Sequence, residues 1–148
     1  MSSDAHTSYE ETEAGRDMRI AADTRDMYDA LTENPNSPLY GVDRKKVFLL
    51  AASYGWSNGL RNPIDGDASG LFNRPTLTDR QRWVIKSLAV AEERNPFVLK
   101  DEVLTFEIAE EYANSGIREL YRIYNAPEDG FIELTTDLIK LGRDRADP

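Results

Sequence analysis

The chain has 148 residues, 40% hydrophobic and 30% charged, which suits one ordinary globular core and is too apolar for a disordered polymer. With 27 acidic against 18 basic side chains its net charge is -9 and its pI about 4.6, so general coating of a phosphate backbone is excluded and any nucleic-acid contact must be local. The absence of cysteine removes disulfides, thiol nucleophiles and thiolate metal sites, and no run approaches the roughly 20 apolar residues of a membrane helix.

Residues 1–16 are polar and acidic with no periodicity, and a disordered acidic tail is expected there. The start MSSDAHTSYEETEAG lacks the basic and apolar regions of a secretion signal, which points to a cytoplasmic protein. From Met18 to Ala21 a short strand is allowed. Asp23 or Thr24 then stands where it can cap a helix whose Met27, Tyr28 and Leu31 share one face, with Asn34 and Pro35 ending it. Turn chemistry follows in Pro35-Asn36-Ser37-Pro38.

A second helix is predicted from Asp43. Val47, Leu50, Ala51 and Tyr54 recur at i, i+3, i+4 and i+7, and Phe48, Leu49 and Ala52 widen the stripe enough to require burial on two sides. It ends near Gly55 to Gly59, and Asn62 to Gly70 is punctuated as a loop. Thr78 and Gln81 stand in capping-box spacing and start a third helix with Val84, Ile85, Leu88, Ala89 and Ala91 as its buried face, closed by Asn95-Pro96. The fourth begins near Asp101 with Val103, Phe106, Ala109 and Ala113, continuing into Ile117, Leu120, Tyr121 and Tyr124.

Gly116 interrupts that pattern at a cost of about 1 kcal/mol relative to alanine. It either breaks the helix in two, the preferred expectation, or admits a neighbouring backbone. After Asn125-Ala126-Pro127 a last helix would carry Phe131, Leu134, Leu138 and Leu141. The sum is an all-α (mainly α) fold: a compact single-domain bundle of about five helices over residues 17–142, with room for one short N-terminal strand and a flexible C-terminus at 143–148.

Chemistry is sparse. Asp65, Asp67, Ser69 and Gly70 match the first half of a calcium loop, but position 12 is Thr76 rather than a bidentate glutamate, so a solvated turn is expected and no metal site. The only histidine, His6, lies in the tail, no nucleophile-elbow or phosphate-loop motif occurs, and neither catalytic residues nor a cofactor are expected. Glu110 and Glu111 point about 100° apart on a helix and cannot share a ligand by adjacency.

What remains is binding. Residues 43–100 hold ten bases against six acids. Arg44, Lys45 and Lys46 crowd the first turn of helix two, Arg61 and Arg74 flank the loop, and Arg80, Arg82 and Lys86 lie early on helix three. Such groups near helix N-termini suit phosphate oxygens or an acidic partner, provided that they face outward as one patch. Trp56 and Trp83, beside apolar stripes, are expected in the core.

The segments DRKKVFLLAASYGWSNGLRNPI (43–64), LTDRQRWVIKSLAVAEERN (77–95) and EEYANSGIRELYRIY (110–124) resemble the small proteins associated with DNA phosphorothioation (Dnd-type) systems, with Gly55, Arg61, Pro63 and Gly116 at the family's punctuation. The resemblance implies a non-enzymatic accessory component of an antiviral restriction system. Its partners would be other defence-system proteins and, through the basic segment, DNA. Two other readings fit the residues. A strand followed by two helices has the order of a ribbon-helix-helix dimer that binds DNA, and a helical scaffold needs no nucleic acid at all.

Overall fold

In the computed structural model, residues 15–126 are described, together with residues 136, 137, 139, 140 and 143, which are helical. The elements run in the order β1 (Asp17–Ala21), a 3-10 turn (Ala22–Thr24), α1 (Arg25–Glu33), α2 (Arg44–Ser57), β2 (Ala68–Asn73), a 3-10 turn (Arg74–Thr76), α3 (Asp79–Glu93), a 3-10 turn (Pro96–Lys100) and α4 (Glu102–Tyr124). The fold is mainly helical, and the described residues form four α-helices rather than about five. Of the expected last helix, Phe131, Leu134, Leu138 and Leu141 lie outside the described residues, while the described positions 136, 137, 139 and 140 within its span are helical. Nearly all of the expected tail and C-terminus also lies outside the described residues.

Helix α4 is the axle: α1, α2, α3 and β1 all pack on it. The Asp101 carboxylate caps it by accepting from Leu104 N at 3.0 Å. It then runs unbroken through Gly116, contrary to the preferred break. A Cβ at Gly116 would stand 1.8 Å from the Ala51 carbonyl oxygen, and one at Gly55 2.1 Å from that of Tyr112. Each glycine therefore admits the backbone of the opposing helix, and α2 and α4 touch main chain to main chain.

Helix α2 buries Val47, Phe48, Ala51, Ala52, Tyr54 and Gly55, the two-sided burial that its broad stripe requires. Asp43 caps it through Lys45 N. In α3 both hydrogen bonds of the capping box form, Gln81 N to Thr78 Oγ1 at 3.1 Å and Thr78 N to Gln81 Oε1 at 2.9 Å. Ile85, Leu88 and Ala89 are buried there, whereas Ala91 is exposed.

The cap expected for α1 does not form: Thr24 Oγ1 donates instead to Ala21 O, and Asp23 accepts from Arg118. Strand β2 falls partly in the expected loop. It pairs antiparallel with β1, Met18 opposite Phe72 and Ile20 opposite Ser69, with an irregularity between Met18 and Arg19. Phe72 meets Phe48 edge-on, centroids 5.5 Å apart, which seats the ribbon on α2. Two apolar clusters result, a large one around Met18, Phe48, Ile117 and Leu120 and a small one of Ala89, Val98, Ile108 and Tyr112, with half-buried Trp56 against both. No helix among the described residues is long and apolar enough to cross a membrane.

Candidate interaction surface

Of the ten bases of the central segment, the eight candidates divide into three that are ion-paired across elements and five that are not. Arg44, at the start of α2, donates to Asp29 and, at 2.8 Å, to Glu33, both on α1. Arg61 bridges two helices, with Nε 2.6 Å from Glu111 of α4 and Nη1 3.0 Å from Glu92 of α3. Arg74 is buried. Its guanidinium donates to Gly15 O at 2.6 Å and Glu110 at 3.2 Å and lies 4.4 Å over the Phe106 ring. These three hold the fold together, so the single outward patch expected of all eight bases does not exist.

The other five are Lys45, Lys46, Arg80, Arg82 and Lys86, of which Lys45 pairs with its own cap Asp43 at 3.9 Å and is no more exposed than Arg44. Lys45 reaches the Thr76 carbonyl at 3.3 Å, which ties the start of α2 to the turn before α3, and Lys46 is exposed. On α3, Arg82 donates to Arg74 O at 2.9 Å, and Lys86 Nζ lies 4.7 Å over the ring of Trp83. Arg80 points to the other side of that helix, into a groove of about 650 Å3 shared with Ser53, Trp56, Trp83, Val84, Ser87, Leu88 and Ala91. Trp83, expected in the core, is 57% exposed there. It precedes Val84 and Ile85 and sits just off the stripe, a displacement that the spacing alone carries.

A second cavity, about 560 Å3, opens where β1, β2 and α4 meet, lined among others by Arg16, Arg19, Arg74 and Glu110. Glu110 is only 2% exposed. Burial pushes its carboxyl above the usual carboxylate range, against the opposing pull of the Arg19 backbone N–H at 2.7 Å and of the Arg19 and Arg74 guanidiniums. The cavity's deepest charges thus neutralise one another. Glu110 and Glu111 do diverge: one serves the ribbon, the other Arg61. The signal for Glu110 was present in the sequence, since Phe106, Ala109, Glu110, Ala113 and Ile117 make one i, i+3, i+4, i+7, i+11 stripe with a carboxylate inside it.

Neither edge of β1 is free, because one pairs with β2 and the other gives its Arg19 N–H to Glu110. A ribbon-helix-helix dimer, which needs that strand to pair between chains, is not compatible with this arrangement. In the former calcium-loop segment, Arg25 donates to Ser69 Oγ and to Gly70 O, and no group of His, Cys, Asp or Glu among the described residues is placed to hold a metal ion.

The family described as DNA sulphur modification system-associated protein 4 matches residues 17–145. No curated protein and no solved structure matches the chain.

Proposed function

The chain belongs to this family, associated with a DNA sulphur modification system, and on that premise we propose that it is a non-enzymatic accessory subunit of a DNA phosphorothioation-linked antiviral restriction system. It works in the cytoplasm by binding, through the exposed side of α3, to another protein of that system. The observation that carries this reading is Trp83, a large aromatic held outside the core beside Arg80 and Lys86, neither of which has an ion-pair partner among the described residues. Trp and Arg in a concave apolar setting are the residue types that dominate protein interfaces. Support for a non-catalytic role is that the buried polar side chains around the ribbon cavity are engaged with each other, Glu110 with Arg19 and Arg74, rather than converging on an empty centre.

Direct DNA contact is the second reading, favoured by Lys46, Arg80 and Lys86, which have no ion-pair partner among the described residues. Co-expression with the sulphur-modification and restriction proteins separates the two. The expected result is co-purification with one of those proteins in buffer free of nucleic acid, and loss of restriction of unmodified phage DNA when the chain is deleted. Retention on a DNA column that falls steeply with salt, with no protein partner recovered, would favour the second reading. Intact restriction without the chain would refute both.

A further inference from the structure

Helix α3 turns Ile85, Leu88 and Ala89 inward and leaves Trp83 outside. An indole in water carries a free-energy cost that its covering would recover, and Lys86 covers only one face of it. The deeper part of the adjoining groove is apolar, with Leu88 buried and Trp56 and Val84 half-buried, while Arg80 and Ser87 are exposed at its margin. Among the described residues neither Arg80 nor Lys86 has an ion-pair partner, although Arg19, Arg44, Arg61, Arg74 and Arg118 in the same acidic chain each have one.

From this geometry we propose that the α2–α3 groove is the docking site for an acidic peptide segment of a partner protein, which inserts one large apolar side chain against Trp56 and Trp83 while a carboxylate meets Arg80 at the groove margin. The inference rests on the reading of α3 as a binding face and adds the chemistry of what is bound. A volume of about 650 Å3 accommodates a few side chains, the scale of a short linear segment. Charge complementarity selects its sign. A second copy is disfavoured, because a two-fold contact through this groove would bring two Arg80 groups into an interface whose lining holds no carboxylate. A nucleic acid meets a net charge of -9 and a mainly apolar groove, where a phosphate backbone finds little to replace its water.

The test uses the full chain and a fluorescein-labelled peptide, Asp-Glu-Asp-Leu-Phe-Glu-Asp-Glu, read by anisotropy. The expected result is saturable binding, weakened about tenfold or more by Trp83→Ala and by Arg80→Glu and left within about twofold by Lys100→Glu, which is outside the groove. Ser87→Lys should tighten binding and Ser87→Glu weaken it, a sign reversal that loss of folding cannot mimic. These side chains are solvent-facing, so unchanged urea midpoints are expected alongside. Equal binding of a Lys-for-acid peptide, indifference to Trp83→Ala, Trp83-dependent binding of a single-stranded oligonucleotide instead, or a dimer that Trp83→Ala dissolves would each overturn the proposal. Should a system protein bind the Trp83→Ala chain as well as wild type, the groove assignment falls and the accessory-subunit reading stands. Should none bind wild type while the peptide still does, the reverse holds.

Discussion

At Glu110 a single carboxylate joins three elements. It accepts the Arg19 N–H that would otherwise be an open strand edge, and it neutralises Arg74, which also ties Gly15 and the Phe106 ring into place. Removing one partner of a buried pair leaves the other charge uncompensated, so Glu110→Ala is expected to destabilise by about 3–5 kcal/mol, read as a lowered urea midpoint. The pH dependence has a definite sign. Burial raises the folded-state pKa above the ordinary 4.5, so the folded chain holds this proton more tightly than the unfolded one. The stabilising contribution is therefore full below 4.5 and declines as pH climbs from there through the folded value. Glu110→Gln cannot titrate, and the stability difference between wild type and this variant should fall across that window; a difference independent of pH would disprove the assignment. Stripe position marked Glu110 as buried, but its partners lie 91 and 36 residues away, a pairing that no local pattern encodes.

Between elements, the α2–α4 contact makes the same point through glycine. Gly→Ala in an exposed helix interior gains about 1 kcal/mol from propensity. At Gly116 and Gly55 the added methyl would meet the carbonyl oxygens of Ala51 and Tyr112, and the helices must separate. Gly116→Ala and Gly55→Ala are each expected to lose about 1–3 kcal/mol or more, with the sign opposite to propensity; denaturant unfolding of each variant measures it. Helices α2, α3 and α4 were legible because a 3.6-residue period and explicit caps act within a few residues of each other. Strand β2 was not. ASGLFN contains no β-branched residue, and it becomes a strand because β1, about fifty residues earlier, brings Met18 against Phe72 and the ribbon closes over α2. Gly116 shows the limit of local rules from the other side: the cost of a mid-helix glycine is real, but whether it signals a break or a contact depends on what crosses it.

Across the whole molecule, charge is the quantity that sequence and structure divide between them. The net charge of -9 and the excess of bases in residues 43–100 can be counted directly, but which bases are spent inside the fold cannot. Arg44, Arg61 and Arg74 are matched to carboxylates on α1, α3 and α4, so they act as fasteners between helices. Residues 15–126 hold 17 acids against 15 bases, so most of the acidic excess is carried by the two ends of the sequence, where like charges repel one another. Salt acts on the two populations unequally. Raising ionic strength from about 0.1 M to about 1 M shortens the Debye length from about 10 Å to about 3 Å, which suppresses repulsion between exposed carboxylates while leaving the largely dehydrated Arg74–Glu110 contact nearly intact. Net stabilisation follows: the thermal midpoint is expected to rise by several degrees over that range and to rise further in proportion to the acids left exposed. Charge-neutralising substitution of an exposed acid, such as Asp79→Asn, should flatten the salt response, whereas Arg61→Met, which frees Glu92 and Glu111 from their shared partner, should steepen it. A midpoint that falls with salt would mean that exposed ion pairs outweigh repulsion, and that the acidic surface is held by attraction rather than tolerated.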